Sequence, residues 1–296
     1  MKETWRWFGP DDPVTLEQVK QAGATGIVTA LHHIYRGETW PLAEVLKRKA
    51  EIEAAGLEWS VVESIPVHNS IKLRSGPYQQ HIEAWKDSLA AIAKAGVKVV
   101  CYNFMPVVDW TRTDLRWQLP STGYALRFDM IDFAVYDAFI LKRKDAEQDY
   151  TPAQIASARA RFEAMPEARR QNLEATIIAG LPGAEGWYTR ETIRALLAQY
   201  EGIKPSELRA NLIAFLREVA SVAEELGIIG DHRVQYFFAD IRGRGMIHVD
   251  DAFLSHALHR IPEYVAGRLN ILSLKFRKCH SGNREVLSPA GTNSQL

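Results

Sequence analysis

Cysteine is scarce in this 296-residue chain, which holds only Cys101 and Cys279. Two cysteines cannot build the disulfide framework of a small secreted domain, so a reducing, cytoplasmic setting is expected. Net charge is missing as well: 36 Lys+Arg balance 36 Asp+Glu. That balance excludes a strongly basic nucleic-acid binder and a highly charged disordered chain. No apolar run reaches the roughly 18 residues of a membrane span. The opening MKETW has no apolar signal-peptide core. There is no Gly-rich phosphate loop, no Gly-x-Ser-x-Gly elbow and no Cys-x-x-Cys, and Gly243-Arg-Gly245 is too short for a dinucleotide fingerprint. Neither nucleic acid nor a membrane is therefore expected as a partner.

What is present is an alternation of short apolar runs and longer amphipathic ones. Strands are expected at Trp5–Phe8, Gly26–Leu31, Trp59–Ile65 and Val97–Phe104. The second is a β-branched apolar run, the mark of a buried parallel strand. Thr15 can cap a first helix that ends near Gly23, and Leu42–Ala55 and Tyr78–Ala95 read as helices closed by Gly56 and Gly96. This order argues for right-handed βαβ units on a parallel sheet. The stretch from 105 to 205 is too long for a βα loop and reads as a helical insertion after the fourth strand, with helices at Pro152–Met165 and Ala168–Ile178. Ser206–Leu226 is a further helix, and a fifth strand is due near Ile228. The chain thus divides into 1–104 (four strands and their helices), 105–205 (insertion), 206–229 (helix into strand five) and 230–296 (tail).

In a parallel α/β barrel, chemistry gathers at the C-terminal ends of the strands. Those ends carry Arg6-Trp7, His32-His33, Glu63-Ser64 and Tyr102-Asn103, with Asp109, Trp110, Arg112 and Asp114 just beyond the fourth. Imidazole, carboxylate, amide and guanidinium groups around one mouth suit a polyhydroxy acid. Arg112 could clamp its carboxylate in bidentate fashion. His32 or His33 could hydrogen-bond hydroxyls or bind a metal, though one of two adjacent histidines usually points away. Glu63 could equally serve as a structural partner for an arginine, and Asp109 and Asp114 as helix caps. The rings of Trp7 and Trp110 could pack under the insertion. Cys101, inside a strand, reads as a small core residue. The residues expected to contact substrate are Trp7, His32, Glu63, Asn103 and Arg112.

At these residues the chain becomes similar to a known family. The strings TWRWFGP (4–10), QAGATG (21–26), VTALHH (28–33), WSVVES (59–64), VCYNFMP (100–106), DWTRTD (109–114), LRFD (126–129) and IIAGLPGAE (177–185) closely resemble mannonate dehydratase. The resemblance covers residues 1–227. It implies a xylose-isomerase-like TIM (β/α)8-barrel with a helical insertion after strand 4. It implies a hydro-lyase of hexuronate (glucuronate) breakdown, converting D-mannonate to 2-keto-3-deoxy-D-gluconate with Mn²⁺ or Fe²⁺. A base would remove the proton α to the carboxylate while an acid helps the 3-hydroxyl leave. Homo-oligomers are possible.

The family holds its metal with two His, one Cys and one Asp from the second half of the barrel. The motifs that carry them, such as Ala-Val-His-Pro-Asp-Asp-Pro-Pro, do not appear after Gly227, where the sequence reads IIGDHRV. Cys279-His280-Ser281-Gly282 does not resemble the family's cysteine motif. The texture also changes: residues 1–229 carry 27 basic and 30 acidic residues, and residues 230–296 carry 9 and 6 with five of the nine histidines. A barrel takes about 200–250 residues without its insertions, so an incomplete barrel is expected here. Three readings of the tail follow: unrelated coding from a frameshift or rearrangement, a genuine tail on a non-catalytic half-barrel that binds or scaffolds a partner, or a reduced metal site built from His232, His248, Asp250 and Asp251. The His256/His259 pair reads as a solvated helix face.

Overall fold

A computed structural model describes residues 2–107, 111–178 and 188–230. Its main sheet has five strands: β1 (Thr4–Arg6), β2 (Gly26–Thr29), β3 (Glu58–Val62), β4 (Val99–Val100) and, after the insertion, β7 (Ile229–Gly230). They lie side by side in chain order and every pairing is parallel. The expected α/β alternation with a parallel sheet is therefore present. No closed barrel forms among the described residues. The strands stop earlier than their apolar runs suggested. Single hydrogen bonds carry the pairing one step further, from the amides of Trp7, Glu63 and Cys101 to the carbonyls of Val28, Thr29 and Val62.

The helices between the strands follow from capping and from apolar spacing. Thr15 caps α1 (Leu16–Gln21) in a capping box with Gln18. In α2 (Leu42–Ala54) the inward positions are Val45, Arg48 and Ile52; in α4 (Tyr78–Lys94) they include Ile82, Trp85, Leu89 and Ile92. Between them stands the short α3 (Asn69–Leu73), capped by the His68 ring, which accepts from the Ser70 amide. These helices bury Ile27, Trp59, Val62 and Val100 of the sheet together with Leu212, Phe215 and Val219 of a later helix. At about 25 cal/mol per Å² of apolar surface removed from water, this continuous cluster is the main stabilising term of the sheet.

The insertion holds more than the helices expected from its sequence. It opens with an antiparallel hairpin, β5 (Asp114–Gln118) and β6 (Tyr124–Arg127). Asp114 accordingly begins a strand instead of capping a helix; its Oδ1 accepts from the Arg116 amide at 2.8 Å. Then come α5 (Met130–Ala134), a π-helical turn (Val135–Ile140), a 3₁₀ turn (Ala146–Asp149), α6 (Pro152–Ala164), α7 (Glu167–Ile178) and α8 (Arg190–Gln199). These build a second apolar cluster around Val135, Tyr136, Leu173, Ile177 and Ile193. Asp137, buried within it, accepts from Arg143 through both oxygens at 2.8 and 2.7 Å and from the Tyr150 hydroxyl at 2.9 Å. The chain returns through α9 (Pro205–Glu225), which leads into β7. No helix among the described residues is long and apolar enough to cross a membrane.

Candidate functional site

Because β1 to β4 are parallel neighbours, their C-terminal ends share one edge of the sheet. Four of the five residues singled out from sequence sit at those ends, and they differ in what engages them. Trp7 is buried, its ring covered by the Arg48 guanidinium 5.2 Å from the centroid. Glu63 is tied to Arg6, with Arg6 Nη1 2.7 Å from Glu63 Oε1, so its carboxylate has the arginine partner that was one of its two readings. This bond spans the end of β2, joining β1 to β3. Asn103 donates from Nδ2 to Ser64 Oγ at 3.0 Å, which ties the end of β4 to the end of β3. The Glu63–Ser64 peptide is cis.

His32 is the member with nothing to bond. Neither ring nitrogen meets a partner in hydrogen-bonding geometry, although both are shielded from solvent. Its ring packs on Phe8, 5.8 Å between centroids. Burial first, then the charges of Arg6 and Arg48, push its pKa down to about 4; the nearby Phe8 carbonyl works weakly the other way. His32 is therefore a neutral imidazole at pH 7, offering one donor and one acceptor. His33 turns outward, exposed, with Nε2 3.5 Å from Glu44. Two more buried polar atoms at the same ends lack partners, Arg6 Nε and Thr29 Oγ1. A buried donor or acceptor left unsatisfied costs about 1–3 kcal/mol. Several of them together at strand ends mark where a polar ligand would repay that cost.

Arg112 lies half-buried on the segment leading into β5. Asp109 and Trp110 lie outside the described residues, as do His232, His248, Asp250, Asp251 and Cys279. Cys101 is half-buried just past β4, less enclosed than a core residue. Among the described residues no three His, Cys, Asp or Glu side chains come together as a metal-binding group. The strand ends shown here therefore do not by themselves fit Mn²⁺ or Fe²⁺.

Sequence reasoning missed Arg48 and Thr29. For Arg48 a signal existed: it occupies the middle of the inward stripe Val45, Arg48, Ile52, where a charge is out of place unless it has a task. Its Nη1 reaches the Ala30 carbonyl at 3.3 Å and its Nε lies 3.2 Å from Glu51. Thr29 gave none, since a threonine in a β-branched run is ordinary.

The geometry is matched by relatedness. The family model for D-mannonate dehydratase (UxuA) matches residues 1–230. Mannonate dehydratase 2 of Agrobacterium fabrum is 58% identical over 233 residues, covering 78% of this chain and 59% of that protein. The mannonate dehydratases of Saccharophagus degradans and Chromohalobacter salexigens are 53% and 54% identical over 228 residues, covering 77% of this chain and 57% and 58% of theirs. The crystal structure of mannonate dehydratase from Streptococcus suis serotype 2 superposes with a TM-score of 0.55 at 33% identity, over 78% of this chain and 52% of that one. The chain thus spans somewhat under three fifths of the length of these curated relatives. With more than three quarters of its residues matched by the family model, the chain belongs to the D-mannonate dehydratase family.

Proposed function

We propose that the strand ends of β1 to β4 form the sugar-acid-binding portion of a D-mannonate dehydratase, and that the five parallel strands are the first staves of a xylose-isomerase-like TIM barrel. The observation that carries this reading is the half-buried His32 ring, its nitrogens shielded and unpartnered, at the end of β2 in a chain with relatives 53–58% identical. A sugar acid presents a row of hydroxyls and one carboxylate. His32 as a neutral imidazole can bond two hydroxyls, accepting from one and donating to the other. Asn103 offers an amide beside Ser64. Trp7 supplies an apolar wall for the C–H face of the chain, and Arg112 a bidentate partner for the carboxylate. Glu63 acts through Arg6, fixing that guanidinium instead of touching substrate.

The reaction expected of the family removes the proton at C2 and the hydroxyl at C3. The resulting enol becomes the 2-keto-3-deoxy acid, and one water is lost. The family's metal-ligand motifs do not follow Gly227, and no cluster of three His, Cys, Asp or Glu accompanies these strand ends among the described residues. We therefore infer that the 296-residue chain binds D-mannonate without turning it over, a reading in which it serves as a non-catalytic binding protein. The test is calorimetric titration with D-mannonate, followed by an assay for the keto-deoxy acid with Mn²⁺ or Fe²⁺ added. Binding without product is the expected result. Steady product formation would overturn the inactivity and leave the substrate standing; no binding at all would overturn the substrate.

A further inference from the structure

Arg48 belongs to α2, yet it reaches into the ends of two strands. It is 93% buried, at a relative exposure of 7%. Its guanidinium covers the Trp7 ring, donates to the Ala30 carbonyl two residues before His32, and fills the space beside Gly9. A side chain at Gly9 would meet Arg48 Nη1 at 3.0 Å, and Gly9 holds φ +100°, a conformation that favours glycine. The loop carrying Trp7 and Gly9 is pinned on its other side by Asp12, which accepts from the amides of Phe8 and Val14 at 2.8 and 2.9 Å. One guanidinium thus sits where the end of β1, the end of β2 and the first turn of the site meet. Burying a cation is costly, and replacing it with a hydrophobic residue of similar volume is often neutral or stabilising. Packing alone therefore does not account for an arginine here.

We propose that Arg48 is a positioning residue of the site, holding the Trp7 ring and the β2 end so that the unpartnered His32 ring is presented to a bound sugar acid. The proposal rests on the reading of these strand ends as a sugar-acid site. Its planar fork does two things that an aliphatic side chain cannot. It stacks on an indole while bonding a carbonyl at its edge. It also sets a fixed positive charge near His32, alongside Arg6 from β1. His33 on its own segment also acts on the ring; Glu63 is paired with Arg6, and Glu51 and Glu44 on α2 attract Arg48, which partly offsets the cost of burying it. A protonated His32 would be a third cation facing two guanidinium groups, so the ring remains a hydroxyl partner instead of a carboxylate clamp.

The experiment compares the full chain with Arg48→Met and Arg48→Lys. The side-chain NMR of His32 is followed from pH 3.5 to 8, the Trp7 indole resonance is recorded, and D-mannonate is titrated at pH 7.5. In the parent chain His32 is expected to titrate near pH 4. In Arg48→Met the midpoint moves up, the Trp7 resonance shifts, and affinity for D-mannonate falls about tenfold, as supporting residues behind a ligand typically do. In Arg48→Lys the charge remains, so the His32 midpoint stays low while the Trp7 resonance shifts with loss of the stack. A folded Arg48→Met with unchanged midpoint, indole resonance and affinity overturns the proposal. Should Arg48→Met not fold, an Arg48→Lys chain with unaltered Trp7 resonance and affinity overturns it. If the parent chain binds no D-mannonate, the substrate reading fails, while the His32 midpoint and the Trp7 resonance still decide the role of Arg48.

Discussion

At Gly26 there is no room for even a methyl group. A Cβ there would press into Ser60 Oγ on β3 and lie 3.1 Å from Thr4 Cγ2 on β1. Gly26 pairs with Thr4 on one side and Glu58 on the other, which fixes its own backbone, and even with the Ser60 hydroxyl turned away the Ser60 Cβ would lie 3.2 Å from the added carbon. Gly26→Ala is expected to destabilise the chain by about 1–3 kcal/mol, the usual cost of overpacking, read from the urea midpoint. Asp137 makes a sharper case. It is buried and serves both Arg143 and the Tyr150 hydroxyl, and burial and that carboxylate together raise the Tyr150 pKa well above its ordinary value. Asp137→Ala leaves a half-buried guanidinium with only Asp149, and a loss of about 3–5 kcal/mol is expected in the same measurement. Single residues were also where sequence reading was least complete. His32 could be named from its strand-end position, but that it, and not His33, faces inward depends on the exit angle of β2. The pairing of Glu63 with Arg6 needs two strands in register, which no local pattern encodes.

Among the elements, α3 is only five residues long and depends on α9 for its place. From α9, Asn211 Nδ2 donates to the Lys72 carbonyl at 2.9 Å and Glu218 meets Arg74 at 3.1 Å; from the end of α8, the Tyr200 hydroxyl donates to Asn69 Oδ1 at 2.9 Å. Lys72 lies in the last turn of α3, where helix carbonyls lack intrahelical donors. Asn211→Ala removes that bond and should cost about 1 kcal/mol. Hydrogen exchange should show α3 amides losing protection ahead of those in α4. The long helices were legible from period and caps; α6 runs Pro152–Ala164 against an expected Pro152–Met165. The β5–β6 hairpin was not read from sequence. Its alternation is real, with Leu115, Trp117 and Leu119 on one strand and Tyr124, Leu126 and Phe128 around the other. It is disguised because all six remain partly exposed and arginines fall between them. Arg127 lies 3.7 Å over the Trp117 ring and Arg116 5.1 Å over Tyr124. An apolar alternation that stays open to solvent looks from sequence like a loop with scattered aromatics.

Among the described residues, two histidines tie stability to acid. Burial, with the charges of Arg6 and Arg48, lowers His32 to about 4; burial, with His81 and Lys72, lowers His68 to about 4. Both are ordinary histidines near 6.5 once the chain unfolds. Between those values the unfolded chain binds more protons than the folded one, so stability is held above pH 6.5 and falls as pH drops toward 4. Urea unfolding at pH 7.5, 6 and 5 should show a falling midpoint, and the combined His32→Gln and His68→Asn variant should flatten that slope. At this scale the parallel α/β architecture could be read from alternation, whereas the strand order could not, because a doubly wound sheet shows the same alternation in another order. What sequence could not supply was the ring of contacts joining different strand ends, where the chemistry sits.

Strand order also sets the order in which the sheet can be built. β2, β3 and β4 each pair with the strand synthesised just before, while on the other edge of β4 the partners of Val99 and Val100 are Ile229 and Gly230, on the far side of the insertion. During translation the open edge of β4 therefore waits while more than a hundred residues emerge. Closing so long a loop costs only slightly more entropy than closing a short one, but the contact arrives late. Nascent chains stalled near residue 140 are expected to resist protease across β1 to β3 while the edge of β4 is still bare. The asymmetry of this sheet is thus temporal as well as spatial: the strand ends that carry Trp7, His32 and Glu63 come together first, and β7 docks onto an edge already formed.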